Sequence, residues 1–478
     1  MGNPPEVPPR SLAAALAALL FLTYGYFFAA PSWNENSRFA LTRSIVERGR
    51  LDIDPYQHET GDKAFARGHY FCDKAPGASF LAVPAYGAYH LFLRATGGRP
   101  PSSIAAAGPA DPNERILVNA TFRRALYLCN LFTNALAGAA LGGLYFLLLV
   151  RRFALAPRTA LAATLALSVG TLVLPYATMF YGHVLVAAFL LGAFFLIEPQ
   201  ARAGRLAGAG ALCGLAVLTE LTAAPAALLL FGYAAWIARR RALWLAAGAL
   251  PPLLALAAYQ TAAFGSPWRS GYAYVSRPEF AEGMSHGLMG IGLPRPGVLA
   301  ALLVGRARGL LYTAPVLLLA FVGLGRRAAG DLRARRAEGP LAAAVVLFFL
   351  LATAGYYMWY GGSAFGPRMV IPALPFLCLG LPFAFARPRP IVFGVLLAIS
   401  VANMLFATAV EPSAPMVRDL LGGYLYPHLL RGEVPLVPGA SNLGALFRLK
   451  GPASLLPLVV LWAVALRTLV PLARARTP

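Results

Sequence analysis

The side chains best suited to chemistry lie in one polar stretch, residues 33–77, which holds seven acids, seven Arg or Lys residues and two histidines. Asn34, Glu35 and Arg38 fall on the first turn of a predicted helix there. A partly desolvated carboxylate beside a fixed cation is a candidate general base. The same pattern also fits a structural role, in which Asn34 caps the helix and Glu35 favours its N-terminal dipole.

Lys74 lies in a second short motif, DKAPG at residues 73–77, which follows Tyr70 and Phe71. The chain has only three lysines among 41 basic residues, so we do not attribute this one to mutational drift. A compact ammonium group at the start of a helix is well suited to contact a phosphate. The alternative is a charged pair that only caps the helix.

Arg368 ends a segment rich in glycine and aromatic residues, WYGGSAFGPR at 359–368, which lies between two apolar runs. Glycine backbone permits the close approach of a ligand. An arginine at the outer end of a helix either reaches lipid headgroups or clamps a phosphate. The flanking glycines and aromatics favour the clamp, so Arg368 and Lys74 are predicted to line one cavity.

Four other polar side chains give weaker signals. His183, in the sequence Tyr181-Gly182-His183, either orients a substrate or is a satisfied buried histidine. Trp268 and His286 mark a further loop whose aromatic residues suit sugar stacking. Glu220, between two short apolar runs, is interpreted as a turn residue, although an intramembrane acid is a functional candidate.

Long apolar runs must position these side chains. The chain is 58% hydrophobic and 13% charged, whereas about a quarter of a soluble domain is charged. Many runs reach the ~20 residues that a helix needs to cross a bilayer, and they lack the alternation of barrel strands. We predict an all-α polytopic membrane protein with about twelve spans, at 11–30, 124–150, 159–179, 183–198, 206–221, 223–238, 243–264, 309–325, 340–359, 369–386, 391–410 and 454–473.

The charges of the turns predict the topology. With the N-terminus inside, the inside turns and tails hold 18 arginines against four acids, Glu6, Glu198, Asp331 and Glu338, as the positive-inside rule requires. Both termini are then cytoplasmic, and the loops 31–123, 265–308 and 411–453 are external. Residues 76–93 are predicted to form a helix on the outer surface, because one more span would invert every later turn.

The net charge of the chain is +22, more than the inside turns supply, so the outer face is basic as well. A basic face beside a bilayer suits an anionic headgroup or a lipid-linked phosphate, although a generic Arg-rich surface explains it equally well. Four scattered cysteines, Cys72, Cys129, Cys213 and Cys378, indicate neither a disulfide framework nor a metal cluster.

The external loop opens with an acidic motif, continues through a predicted amphipathic helix at 34–50 and reaches a Lys-Pro motif before a surface helix. This layout resembles the GT-C superfamily, multispan glycosyltransferases that use polyprenyl-phosphate sugars, and within it the branch of aminoarabinose transferases and protein O-mannosyltransferases. The segments TMFYGHV, FGSPW and WYGGSAFGPR are similar to those of uncharacterised bacterial members. The chain is accordingly divided into a catalytic module, 1–240, and C-terminal helices, 241–478.

The resemblance implies that a carboxylate takes the proton of an acceptor hydroxyl while the lipid phosphate leaves. That branch usually begins its loop with Asp-Glu where this chain has Asn34-Glu35, so Glu35, Asp54 and Asp52, in that order, are the alternative bases. It usually has Lys-Pro-Pro where this chain has Lys-Ala-Pro. By resemblance Lys74 contacts the donor phosphate, and the charges of Arg368 and Arg38 are predicted to act on the same phosphate. The predicted substrate-binding residues are Asn34, Asp73, Tyr70, His183, Trp359, Trp268 and His286.

The expected partners are a polyprenyl-phosphate-linked sugar, membrane lipids and a lipid, glycan or protein acceptor, and not nucleic acid. A divalent metal ion is an open expectation, because Asp73 lies where some GT-C members carry a metal-binding acid. The preference for Arg over Lys suggests a high-GC bacterium and hence its inner membrane.

Two other classes of protein are alternatives to the glycosyltransferase. A carrier or flippase for lipid-linked glycans needs polar or broken helices at the midplane, and Pro251-Pro252 is the only conspicuous break in the sequence. A non-catalytic scaffold would not need acids clustered in one loop.

Overall fold

The computed structural model describes residues 8–104, 117–384 and 389–473, and helices form most of this part of the chain. The predicted all-α class is confirmed there. The α-helices are Pro9–Gly25, Trp33–Arg48, Gly77–Thr96, Ala120–Asn130, Leu136–Arg151, Pro157–Val169, Val173–Ala177, His183–Leu196, Ala203–Thr219, Ala224–Ala238, Leu243–Phe264, Pro278–Ser285, Pro296–Val304, Leu310–Thr313, Leu317–Arg333, Glu338–Gly355, Leu374–Cys378, Pro390–Val410, Tyr426–Leu430 and Leu456–Leu472.

Three two-stranded sheets join parts of the loops. Phe27–Phe28 pairs with Ser441–Asn442, Lys63–Ala66 with His69–Cys72, and Ser103–Ile104 with Leu117–Val118, all antiparallel. The first pairing brings the loop before the last helix to the end of the first helix.

Five helical runs of the described chain are long and apolar enough to cross a membrane: Ala120–Arg151, Leu221–Phe264, Glu338–Gly355, Pro390–Val410 and Gly451–Leu472. Four shorter apolar helices accompany them: Pro9–Gly25, His183–Leu196, Ala203–Thr219 and Arg368–Cys378. Helical segments therefore lie at the positions of the predicted spans, but the number twelve stays a prediction.

Proline and glycine explain why several predicted spans are interrupted. The 159–179 run is broken after Val169, where Gly170 ends the first helix. The 309–325 run is broken around Pro315, since proline removes a backbone donor and clashes with the preceding turn. The expected break at Pro251-Pro252 is wrong, because Leu243–Phe264 continues through both prolines.

The turns predicted to lie inside meet one another at one end of the helices. Arg152 donates a hydrogen bond to the Ile197 carbonyl at 3.0 Å and forms an ion pair with Glu338 at 3.5 Å. The Arg327 guanidinium lies 4.8 Å from the centre of the Phe153 ring. Of the other predicted inside residues, Glu6, Arg387, Arg474 and Arg476 lie outside the described residues, as do positions 105–116 of the predicted 31–123 external loop.

The helix predicted at 34–50 is present as Trp33–Arg48, but it is buried on all sides from Asn34 to Ser44, so its predicted amphipathic character is wrong. The Gly77–Thr96 helix covers one side of it, with Phe39 packed edge-on against Tyr86 at 5.2 Å. The Lys63–Cys72 hairpin and the Asp54–Glu59 3₁₀ turn cover other parts. Polar side chains of this helix therefore face protein rather than water, and each needs a partner.

Candidate functional site

The open end of the hairpin sets two acids opposite each other. Arg67 and Gly68 form its two-residue loop, both with positive φ, at 53° and 82°, as a type I′ turn requires. That turn fixes the register in which Lys63 pairs with Cys72. Asp62 and Asp73 are the next residues on each strand, so they leave the hairpin side by side.

Lys74 lies between these two carboxylates. Its ammonium group is 2.6 Å from Asp73 and 3.1 Å from Asp62, and all three side chains are largely buried. Although burial opposes ionisation, the charges of Lys74, Arg368 and Arg38 lower the pKa of Asp62. At Asp73, burial and the negative charge of Asp62 raise the pKa of the carboxyl. Together they outweigh the charge of Lys74, which lowers it. Asp62 thus holds its negative charge more firmly than Asp73, while both carboxylates contact Lys74.

Arg38 connects the buried helix to this group. Its guanidinium donates to the side chain of Asn34 and, at 3.3 Å, to the Asn34 carbonyl, and the Asn34 amide lies 3.5 Å from Asp62. Arg38 is only 3% exposed, and its Nε has no hydrogen-bond partner within the described residues. The Arg38 guanidinium carbon is 5.9 Å from the centre of the Tyr181 ring.

Arg368, far from Arg38 in the sequence, also approaches the Tyr181 ring, with its guanidinium carbon 5.0 Å from the ring centre. In the described part of the chain, Arg368 makes no side-chain hydrogen bond or ion pair. Gly361 has a φ of 74°, and a Cβ there would lie 3.1 Å from the Arg368 Nε. Arg308, fully buried, donates to the Gly362 carbonyl at 3.1 Å and so holds this turn. Arg368 and Lys74 both lower the pKa of Asp62, and the cavity that they are predicted to share stays a prediction.

Glu35 occupies a capping position beneath this cluster. The backbone N–H groups of Ser32 and Phe180 donate to its two carboxylate oxygens, at 2.8 and 3.2 Å. The cap of the helix is Ser32, with Glu35 in the capping box, so the expected capping role of Asn34 is wrong. Burial raises the pKa of Glu35 to about 7, against the opposing effect of these hydrogen bonds.

His183 and Glu220 form a second buried pair next to the Tyr181 ring. The Nδ1 atom of His183 is 2.8 Å from one oxygen of Glu220 and 3.0 Å from the other. The imidazole stacks on Tyr181 with ring centres 5.9 Å apart. Glu220 sits in the break between the Ala203–Thr219 helix and the next turn, so the predicted turn position is correct.

The pKa of Tyr272 depends on charges from both the Lys74 cluster and the His183–Glu220 pair. Burial raises its pKa to about 12, with Lys74 and Arg38 acting to lower it and Asp73 and Glu220 acting to raise it. Close packing produces this proximity. A Cβ at Gly271 would lie 2.7 Å from the Asp73 backbone, and one at Gly77 would lie 2.7 Å from the backbone of Thr219, the neighbour of Glu220.

The two other candidate bases lie elsewhere. Asp52 forms ion pairs with Arg48 at 2.9 Å and Arg50 at 2.5 Å. That is beyond the far end of the Trp33–Arg48 helix, about 20 Å from its first turn by the helical rise. Asp54 accepts a hydrogen bond from the Tyr70 backbone at 2.7 Å and contacts His69 at 2.6 Å, near the hairpin loop. The geometry gives both carboxylates local structural partners.

The remaining predicted substrate residues form no common group with Lys74. Tyr70 lies toward the loop of the hairpin, with Lys63 4.8 Å from its ring centre. Trp268 is 91% exposed and His286 is exposed, while Trp359 packs edge-on against Tyr360 at 6.1 Å.

No set of three or more His, Cys, Asp or Glu side chains suited to a metal ion occurs in residues 8–104, 117–384 and 389–473. Asp73, the residue offered by the resemblance, is already engaged by the Lys74 ammonium. Among the described residues, the lysine between these two carboxylates occupies the place that a divalent cation would need.

Sequence reasoning missed the residues that tie the site together. Asp62 was only one acid among many, yet the Arg67-Gly68 turn signal was enough to place it opposite Asp73. Tyr181, Tyr272 and Arg308 gave no local signal, because their positions depend on contacts between segments far apart in the chain. Glu220 was noticed, but not as the partner of His183.

No protein-family model and no curated protein matches the sequence. Among solved structures, the chain is similar to ArnT from Cupriavidus metallidurans. The alignment covers 97% of this chain and 73% of ArnT at 16% identity, with a TM-score of 0.49 for the apo state and 0.48 for the structure bound to undecaprenyl phosphate. At this identity and TM-score the likeness says nothing about the role of any single residue.

Proposed function

We propose that the protein is a membrane glycosyltransferase that moves a sugar from a polyprenyl-phosphate donor to an acceptor hydroxyl on the extracytoplasmic side. The observation that carries the proposal is that Lys74 lies 3.1 Å from Asp62 while the Arg38 and Arg368 guanidinium groups both approach the Tyr181 ring, at the end of the helices opposite the Arg-rich turns. A lipid phosphate is an anion that such a group can hold beside a membrane.

The charges of the site support an anionic ligand. Buried charges are costly unless they are paired. Asp62 and Asp73 share Lys74, whereas Arg38 keeps an unpartnered Nε and Arg368 has no acid partner in the described chain. A phosphate that accepts hydrogen bonds from the two guanidinium groups would complete the set.

The same cations suit the transfer step. The acceptor oxygen forms a bond to the anomeric carbon, the bond from that carbon to the phosphate oxygen breaks, and its electron pair stays on the lipid phosphate. Fixed cations in a water-poor site stabilise the negative charge that develops there. Lys74, Arg368 and Arg38 would act on the leaving phosphate, and the Asn34 amide would hold Asp62 in place.

The distribution of charge favours a transferase over a carrier. Helices such as Leu136–Arg151 and Glu338–Gly355 carry charge only at one end. Breaks occur after Val169 and around Pro315, but no charged residue lies in either of them. A carrier needs a polar site near the midplane that opens to both faces, and the described charges gather at the helix ends instead.

A transfer assay separates these two functions. The full-length protein in nanodiscs is mixed with undecaprenyl phosphate carrying a radiolabelled hexose, drawn from a panel of such donors, and with an envelope extract as acceptor. We expect label to leave the lipid and undecaprenyl phosphate to appear. Since a nanodisc has no second compartment, a carrier would leave the donor intact, and an unchanged donor across the whole panel would contradict the proposal.

A further inference from the structure

The His183–Glu220 pair belongs to the candidate site but has no role in the proposed binding of the phosphate. His183 is 9% exposed and Glu220 is largely buried, and the carboxylate engages only the Nδ1 atom of the imidazole. Within the described residues, the Nε2 atom makes no hydrogen bond. A proton held on Nδ1 by a carboxylate leaves the Nε2 lone pair free to accept another proton.

The local sequence allows the acid to approach closely. A Cβ at position 182 would lie 2.5 Å from a carboxylate oxygen of Glu220, so Gly182 leaves the room that Glu220 occupies. The imidazole is also fixed from one face by the Tyr181 ring, at an interplanar angle of 27°. Hydrogen bond and stacking together orient the His183 side chain.

The pair also lies beside the proposed phosphate site. Tyr181 is the shared wall, since His183 stacks on it while Arg38 and Arg368 lie within 6 Å of its centre. On the other side, the Thr219 backbone next to Glu220 packs against Gly77, three residues after Lys74. A base at this position would lie close to a donor whose phosphate is held by these cations.

Glu35 is less suited to act as a base toward a substrate. Both of its oxygens accept backbone hydrogen bonds, from Ser32 and Phe180. Turning the carboxylate toward a substrate would leave two buried N–H groups without partners, which is unfavourable. The position favours a structural role in the capping box.

We propose that His183, oriented by Glu220, is the general base that takes the proton of the acceptor hydroxyl. This inference rests on the proposed transferase function. The Nε2 lone pair accepts the proton as the hydroxyl oxygen bonds to the anomeric carbon and the lipid phosphate leaves with its electron pair. The resulting imidazolium is stabilised by the Glu220 carboxylate and later releases its proton to water. His183 is the catalytic residue of this step and Glu220 is a positioning residue.

The test is the pH dependence of transfer by the full-length protein in nanodiscs, with the undecaprenyl-phosphate hexose that wild type uses. The titratable and charged groups around His183 are Glu220, Tyr176, Tyr181, Arg38 and Arg368. Wild type should lose kcat/KM as the pH falls through the range of about 5–8 in which imidazoles titrate.

Replacement of His183 by Gln should lower kcat by roughly 10²–10⁴-fold. It should also abolish the fall of kcat/KM at low pH, the acidic limb of the pH profile. The variant should still bind undecaprenyl phosphate. Glu220→Gln should shift the pH at which kcat/KM falls, and it should lower kcat less than His183→Gln does. The control His428→Gln, in an external loop, should change neither kcat nor the pH profile. The Glu220→Gln protein keeps the test available should the His183 variant fail to fold. The inference about His183 would be overturned if His183→Gln kept the pH profile of wild type, or if Glu35→Gln lost the acidic limb instead. Either result would leave the proposed transferase function standing. A wild type that neither binds undecaprenyl phosphate nor transfers sugar would overturn the proposed function together with it.

Discussion

Asp62 and Asp73 face each other at the open end of one β-hairpin, and the Lys74 ammonium lies 3.1 Å from the first carboxylate and 2.6 Å from the second. The two acids are not equivalent. Lys74, Arg368 and Arg38 lower the pKa of Asp62, while burial and the charge of Asp62 raise the pKa of Asp73. The hairpin therefore presents one firmly ionised acid and one that accepts a proton more readily.

This difference predicts unequal effects of two amide substitutions. Asp62→Asn removes the charge that the three cations stabilise and should lower the unfolding free energy by about 3 kcal/mol, as is typical for one partner of a buried pair. Asp73→Asn should cost less, since burial and the charge of Asp62 raise the pKa of Asp73 and make its charged form less favourable than that of Asp62. Chemical denaturation in detergent at pH 7.5 measures both. Equal losses, or a larger loss for Asp73→Asn, would contradict the assignment of charge.

Glu35 should make stability depend on pH. Burial raises its pKa to about 7, so its contribution is fully present below the ordinary carboxyl pKa and is lost as the pH rises through about 7. The unfolded chain releases this proton first, and the folded state should lose on the order of 3 kcal/mol between about pH 4.5 and 7. Denaturation midpoints of Glu35→Gln should lack this decline, and a decline as steep as that of wild type would refute the assignment.

Gly182 offers a test of packing around the second pair. A methyl group there would lie 2.5 Å from the Glu220 carboxylate and should push it from His183, with a loss of transfer activity of tenfold or more, on the order of the 1.4 kcal/mol that separates tenfold rates. The matched control is Gly87→Ala, inside the Gly77–Thr96 helix, where a Cβ meets nothing within 4 Å. That change should preserve activity and stabilise the helix slightly. Full activity in Gly182→Ala would speak against a role for the pair.

Topology can be tested with fused reporters. A reporter placed after Arg241 or Arg336 should be cytoplasmic, and one within 411–453 should be external, because the inside turns carry the arginines. Alkaline phosphatase and green fluorescent protein fusions give opposite signals on the two sides. Finding residues 100 and 240 on the same side would rule out this topology.

Local patterns and rare residues singled out two of the cations of the candidate site. Lys74 stood out as a lysine in an arginine-rich chain, and Arg368 as a cation beside a glycine turn, and both lie near Asp62. The helical positions also followed from apolar runs. Hydropathy alone predicted continuous spans, whereas prolines and glycines divide some of these runs into shorter helices, as after Val169.

The other half depends on contacts between distant segments. Tyr181 joins Arg38 to Arg368, which are far apart in the chain, and no local pattern reports such a contact. Glu35 was predicted first as a base from its position beside Arg38. Its backbone partner Phe180 lies on another part of the chain, so the commitment of both carboxylate oxygens could not be seen in the sequence.

Binding of undecaprenyl phosphate tests the central claim most directly. Its affinity for the full-length protein can be measured by native mass spectrometry, with Lys450→Ala, an exposed lysine of the 411–453 loop, as the matched control. We predict that Lys74→Ala and Arg368→Ala each weaken binding roughly 10- to 100-fold, since a hydrogen bond to a charged group contributes about 1.5–3 kcal/mol. Binding by both variants as tight as that of Lys450→Ala would contradict the phosphate site and the function proposed from it.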